Sequence, residues 1–278
     1  GKTLWQRRDL PCDHFRGPAS SLFLLDELVI FHMDGADHQY IVALDKRTGD
    51  TAWRTDRSVD YGDLDDEGKP RAGGDFRKAY NTPIRIVHDG KEQLLSPAAK
   101  AAYAYDPRTG KELWRIRYEQ HSSASRTVFS DGVAYMNTGY PQAELWAVRV
   151  DGTGDVTDSH VLWKRKQGVP RRASPLLIDG RLYFVSDNGI ATCLDARTGD
   201  EIWKDRIGGE YSASPVYANG AIYFFSQEGV TTVIRPGGTE CTIIARNELD
   251  DGFMASPAIA GRAFYLRTRT HLYRIEAP

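Results

Sequence analysis

The chain lacks most of the signals that mark enzymes, membrane proteins and nucleic-acid-binding proteins. It has three cysteines, Cys12, Cys193 and Cys241, odd in number, widely spaced and in no metal-ligand pattern, so no disulfide framework organises it. A domain with an adequate core needs no such staples in any compartment, so the cysteines do not report where the protein works. Nor is there an excess of positive charge. Lys and Arg number 36 against 38 Asp and Glu, a formal net charge of -2, which removes the usual argument for phosphate-backbone binding and for nucleic acid as a partner. No stretch approaches the roughly 18 consecutive apolar residues of a membrane helix, and the first residues lack the charged-then-apolar pattern of a secretion signal. Helical periodicity is nowhere sustained over the roughly 10 to 12 residues a helix needs. The histidines, His14, His32, His38, His88, His121, His160 and His271, form no zinc motif, and no Gly-x-Ser-x-Gly elbow or phosphate loop occurs. No catalytic residue is identified.

What is abundant points to strands and tight turns: 26 Gly, 14 Tyr, 10 Phe and 6 Trp against 3 Met. A self-comparison explains the excess. Residues 43–53 carry Ala-x-Asp-x-x-Thr-Gly-x-x-x-Trp, from Ala43 through Asp45, Thr48 and Gly49 to Trp53. The pattern recurs from Ala104 to Trp114, and from Cys193 through Asp195, Thr198 and Gly199 to Trp203. A second module, Ser-Pro followed by an apolar run, a turn and an aromatic pair, appears at Ser174-Pro175, Ser214-Pro215 and Ser256-Pro257. Weaker copies lie at Asn81-Thr82-Pro83, Ala124-Ser125-Arg126 and Ala19-Ser20-Ser21. The third position of each copy falls at 21, 83, 126, 175, 215 and 257, giving steps of 62, 43, 49, 40 and 42. Steps of about 40 to 45 residues, each holding four short strands, are the period of propeller blades. In one copy the predicted strands are 174–178, 181–186, 190–195 and 201–206, with Asp179-Gly180 and Asn188-Gly189 supplying the positive φ values of hairpin turns. The fold class expected is all-β: a propeller of four-stranded antiparallel blades, six visible, in one domain spanning 1–278.

These motifs resemble the tryptophan-docking repeat of the pyrroloquinoline quinone (PQQ)-like β-propellers, over essentially the whole chain. The resemblance implies Trp side chains docked between adjacent blades and a periplasmic or secreted, monomeric, BamB-like non-catalytic scaffold of the bacterial cell envelope. Its partner would be a protein, peptide or saccharide. The alternative implied is a quinone- or metal-dependent oxidoreductase of the quinoprotein dehydrogenase kind, with PQQ and calcium as cofactors. Against it, the chain has no adjacent cysteines and no residue set that matches the calcium ligands of those enzymes. Gly1-Lys2-Thr3-Leu4-Trp5 matches Gly110 to Trp114, and no Trp strand follows residues 271–275. Two expectations fit: the first strand closes a six-bladed ring, or the chain is a fragment of a ring of seven or eight blades.

Propeller topology places a ligand on the channel-mouth face, where outermost strands lead to the next innermost strands. Residues 12–16, Tyr140, Glu210 and Met254 fall in or beside these connections, as do the ligand-binding candidates Tyr80, Asn81, His121, Arg171, Arg172, Tyr211 and Phe253. Aromatic and Arg side chains suit a concave mouth, and each of them is equally suited to capping its own blade. The step of 62 contains about 20 extra residues, 57–78, with Asp60, Asp63, Asp65, Asp66 and Glu67 followed by Lys69, Arg71, Arg77 and Lys78. It reads as a lid or partner-contact loop, or as a solvated loop. Two metal candidates remain. Asp151, Asp155 and Asp158 alternate with small residues as in calcium loops but lack the bidentate Glu of an EF-hand, and His32, Asp34, Asp37 and His38 share one turn.

Overall fold

The repeated turn is where the fold begins. Asp45 Oδ1 accepts hydrogen bonds from the Arg47 and Thr48 amides at 2.8 and 3.0 Å, Thr48 Oγ1 accepts from Asp50 N, and Gly49 takes φ 79°. The same bonds recur around Asp106, Thr109 and Gly110, and around Asp195, Thr198 and Gly199. Short Asp and Thr side chains satisfy amides that a turn leaves unpaired, and glycine enters the left-handed region without a Cβ clash. Each turn follows a register shift between Ala43 and Leu44, Ala104 and Tyr105, or Cys193 and Leu194. Trp53, Trp114 and Trp203 stand opposite the residue just before the shift. A fourth shift, between Val233 and Ile234, has Ala245 at that place.

The computed structural model describes residues 1–14 and 16–276; Phe15, within the 12–16 connection, lies outside them. The first sheet runs β1 (Phe23–Leu25), β2 (Leu28–Asp34), β3 (Gln39–Asp45), β4 (Thr51–Asp56), and the second β5 (Ile84–His88), β6 (Lys91–Pro97), β7 (Ala101–Tyr105), β8 (Glu112–Arg117). The third holds β9 (Val128–Ser130), β10 (Val133–Asn137) and β11 (Leu145–Arg149). The chain then lays β12 (Gly154–Asp155) parallel to β8 on the edge of the second sheet, before β13 (Val161–Arg165) completes the third. The fourth comprises β14 (Leu176–Ile178), β15 (Arg181–Val185), β16 (Ile190–Asp195) and β17 (Glu201–Arg206). The fifth comprises β18 (Val216–Ala218), β19 (Ala221–Phe225), β20 (Val230–Arg235) and β21 (Thr242–Glu248), and the sixth β22 (Ala258–Ala260), β23 (Ala263–Arg267) and β24 (Leu272–Glu276). The observed strands 176–178, 181–185, 190–195 and 201–206 follow the predicted ones; the innermost begins two residues late because Pro175 supplies no ladder donor. Successive antiparallel meanders, with only one short 3-10 segment at Arg71–Arg77 among the described residues, define a β-propeller fold.

Two compact units partition the chain, Gly1–Leu162 and Trp163–Pro278. In the first, the core lies between the faces of consecutive sheets: Ile41, Ala43 and Trp53 pack with Leu94, Tyr103 and Tyr105, and Leu95, Trp114 and Ile116 pack with Met136, Trp146 and Val148. In the second, Tyr183, Cys193 and Trp203 pack with Ile222, Phe224 and Ile234. Trp53 donates its indole N–H to the Pro107 carbonyl, and its ring covers Gly110 so closely that a Cβ there would lie 2.4 Å from Cε3. Trp5 sits in the same way on Gly49 with the Lys46 carbonyl, and Trp163 on Gly199 with the Ala196 carbonyl. Nearer the innermost strands, Ser174 N donates to Ser214 Oγ and Ser214 N to Ser256 Oγ, both at 2.9 Å, and Ser21 N donates to Thr82 Oγ1 at 2.9 Å.

Candidate functional site

The chemistry-bearing side chains of the first unit gather at the end of its sheets where β2 turns into β3 and β4 leads into residues 57–83. The extra residues there are folded. Arg77 Nε bonds both Asp63 carboxylate oxygens at 3.0 and 3.1 Å and stands 5.2 Å from the Tyr61 ring, while Leu64 bridges Pro70 and closes the tip. Asp65 Oδ1 accepts from Glu67 N and Lys69 N, so part of the acidic run serves the loop's own amides. Gly74, at φ 80°, passes so close to Ala36 that a Cβ would meet the Ala36 carbonyl oxygen at 2.3 Å.

The insertion is anchored at its start by a buried ion pair. Arg57 Nε and Nη2 donate to Asp34 Oδ1 and Oδ2 at 2.9 and 2.7 Å, Nη2 also to Ser96 Oγ at 2.9 Å, and Nη1 to the Tyr105 hydroxyl at 3.1 Å. Neither charged side chain is exposed. Burial alone would push the Asp34 carboxyl up, but the Arg57 and His32 charges outweigh it and hold it well below the usual carboxylate range. His32 Nδ1 lies 2.6 Å from Asp34 Oδ2, and Nε2 lies 2.8 Å from Ser20 Oγ. Ser20, His32 and Asp34 stand in line, and Nε2 also faces the Asn81 carbonyl. His32 therefore ties Ser20 and Asn81 to β2.

At its far end the insertion delivers residues 75–81. Lys78 is fully buried and paired with Asp75. Burial works to raise the Asp75 carboxyl, but its hydrogen bond to Lys78 and the Lys78 charge win and keep it low. Around this pair stand His14 against Tyr80, with ring centres 5.4 Å apart, Phe76 edge-on to His121 at 5.3 Å, and His121 edge-on to Tyr140 at 5.5 Å. Burial pushes the His14 and His121 imidazoles down and the Tyr80 phenol up. Asn81 Nδ2 donates to the Ser125 carbonyl at 2.6 Å, while Asn81 Oδ1, the Tyr80 hydroxyl and His14 Nδ1 are buried without a hydrogen-bond partner among the described residues. Phe76 and Tyr140 stay open to solvent.

The structure thus brings together three of the sequence candidates, Tyr80, Asn81 and His121. The other four belong to the second unit. Arg171 is exposed and pairs with Asp187, and Arg172 is exposed. Tyr211 and Phe253 are core residues, each 1% exposed. They occupy the place His121 holds in its own repeat: His121 bridges Tyr140, Tyr211 bridges Ser226, and Phe253 bridges Thr268. Of the calcium candidates, Asp155 accepts from the Thr157 hydroxyl and lies 2.7 Å from Arg117 Nε, Asp151 faces Arg149 and His160 at 3.5 Å, and Asp158 is exposed. In the other cluster Asp34 is committed to Arg57, and Asp37 Oδ1 accepts the Asp13 and His38 amides. No group of three or more His, Cys, Asp or Glu side chains is arranged to hold a metal ion among the described residues. Sequence reasoning raised Asp34 only as a metal candidate and Lys78 only as a charge of the inserted loop, and it missed Arg57 and Asp75 as site residues. The signal pointing to Arg57 and Lys78 was the insertion itself, whose two ends they are.

Sheet order, repeated turn and the Trp contacts define a PQQ-like repeat propeller. The chain belongs to the family whose model is described as outer membrane protein assembly factor BamB, matched over residues 37–277. Among solved structures it resembles BamB from Moraxella catarrhalis, with TM-score 0.50, 13% identity, and 90% of this chain covering 82% of that one. It also resembles the computationally designed Ika8 protein, with TM-score 0.62, 12% identity and coverages of 93% and 70%. A third likeness is to quinohemoprotein alcohol dehydrogenase from Comamonas testosteroni, with TM-score 0.57 and 13% identity; 85% of this chain spans 44% of that one, less than half its length. At these identities the likenesses concern the fold. No curated protein sequence matches the chain.

Proposed function

We propose that this protein is a non-catalytic binding or assembly scaffold of the bacterial cell envelope, periplasmic or secreted, that takes a protein, peptide or saccharide partner at the sheet ends where Tyr80, Asn81 and His121 meet. The family match across residues 37–277 carries the reading. The local geometry supports it. Asp34, Arg57, His32, Asp75 and Lys78 are engaged with one another and hold backbone in place, whereas Phe76 and Tyr140 offer exposed aromatic faces beside them. A preformed aromatic rim over a rigid polar base suits recognition, because little conformational freedom is lost on binding.

Photo-crosslinking tests the reading. With a benzophenone side chain at position 76 or 140, the full chain in an envelope fraction yields a discrete adduct, while the same group at Val87, exposed on β5, does not. Adducts from Val87 alone would overturn the placement of the site. Dye reduction on addition of PQQ and calcium would overturn the non-catalytic reading.

A further inference from the structure

Three backbone hydrogen bonds hold the segment that crosses the site. Ala79 N donates to the Asp34 carbonyl at 3.3 Å, Tyr80 N to the Ser123 carbonyl at 2.8 Å, and Ser122 N to the Lys78 carbonyl at 2.7 Å. Between these bonds the segment carries the fully buried Lys78, and its Tyr80 and Phe76 rings meet the imidazoles of His14 and His121, both of which feel the Lys78 charge. His14 feels Asp34, Asp37, His32 and Lys78, and its ring meets Tyr80. His121 feels Asp75, Lys78 and Lys100, has Ser122 Oγ 3.0 Å from Nδ1, and meets Phe76 and Tyr140. Arg16 acts on Asp75 and Tyr80 from the 12–16 connection. The carboxylates within range are already engaged: Asp75 with Lys78, Asp34 with Arg57 and His32, and Asp37 with the Asp13 and His38 amides.

We propose that residues 75–81 form an acid-released strap: protonation of His14 and His121 places two further charges beside Lys78, breaks the bonds to Asp34, Ser122 and Ser123, and frees Tyr80 and Asn81. The closed strap holds both imidazoles neutral and half-buried. The released strap lets water solvate all three cations, so protons bind the open form more tightly and draw the equilibrium toward it. Burial first, then His32 and Lys78 for His14 and Lys100 and Lys78 for His121, keep both imidazoles below the ordinary histidine value, which places the transition on the acid side of about pH 6.5. The partner-binding face is then presented in two forms, set by the acidity of its surroundings.

Amide exchange of the full chain reads the strap directly. After correction for intrinsic rates, protection at Tyr80 and Ser122 is expected to fall about tenfold or more between about pH 7.5 and 5, with Thr192 in β16 as an unchanging reference. In the His14→Gln/His121→Gln double variant the fall shrinks to about twofold or less. Flat protection in the wild type, or an undiminished fall in the double variant, overturns the proposal. A second measurement covers a double variant that does not fold: imidazole nitrogen shifts of His14 and His121 titrate below about pH 6.5 in the wild type, and both midpoints rise in Lys78→Met. Midpoints that stay in place with Lys78 removed overturn it equally.

Discussion

Removing Arg57 would leave the Asp34 carboxylate with no water and only His32 for charge, because neither side chain of the pair is exposed. Arg57→Met is expected to lower unfolding free energy by about 3 to 5 kcal/mol in urea titration, and Asp34→Leu combined with Arg57→Met by clearly less than the sum of the single changes. The same residues fix the response to acid. Asp34 is depressed in the folded chain, so its stabilisation is complete above the ordinary aspartate value of about 3.9 and is lost as pH falls below it. His14 and His121 are depressed as well, and for a base the consequence appears at higher pH. The unfolded chain binds their protons first, so stability declines as pH drops below about 6.5. Urea midpoints measured against pH should show both limbs, with Asp34→Asn flattening the lower one and His14→Gln the upper one. None of this was legible in the sequence. Arg57 reaches Asp34, Ser96 and Tyr105 across 23, 39 and 48 residues, and no local pattern joins them. A surplus of about twenty residues in the repeat marked the place without revealing its chemistry.

At the scale of the element, the glycine of each turn does two tasks that substitutions can separate. Gly110 and Gly180 share a left-handed backbone, φ 71° and 72°. Gly110 lies under Trp53, whereas an added Cβ at Gly180 would meet nothing within 4 Å. Gly180→Ala should therefore cost about 1 kcal/mol, the conformational term alone. Gly110→Ala should cost at least about 2 kcal/mol more, because the indole must be displaced from its seat. Chemical denaturation of the two variants checks the difference, and equal losses would mean the Trp contact adds nothing. These elements were readable because their physics is local: a carboxylate two and three residues from the amides it caps, a glycine at the left-handed position, and a tryptophan four residues on. The two-residue β12 was not readable, since Gly154 and Asp155 pair with Trp114 and Arg115 forty residues earlier in a parallel arrangement that no alternation encodes.

Across the whole molecule, burial is uneven in a way that sets where the fold opens. Every residue of β7 is buried in the first unit, and β16 is buried except at its ends in the second, while β22 and most of β24 are exposed. Hydrogen exchange should accordingly rank β7 and β16 slowest and β22 and β24 fastest, with the sixth sheet losing protection at denaturant concentrations that leave the fourth intact. A sixth sheet that exchanged as slowly as the fourth would contradict this ranking. The seat of Trp5, Trp53 and Trp163 on a glycine turn has a further meaning for lineage. The indole and the glycine turn that receives the preceding indole are encoded within the same stretch of about forty residues, so a duplicated stretch arrives carrying both halves of the joint. Copy number can then change by unequal exchange within the gene without any new surface having to be invented, and each copy is free to diverge at its outer connections, as the one that acquired residues 57–78 has done.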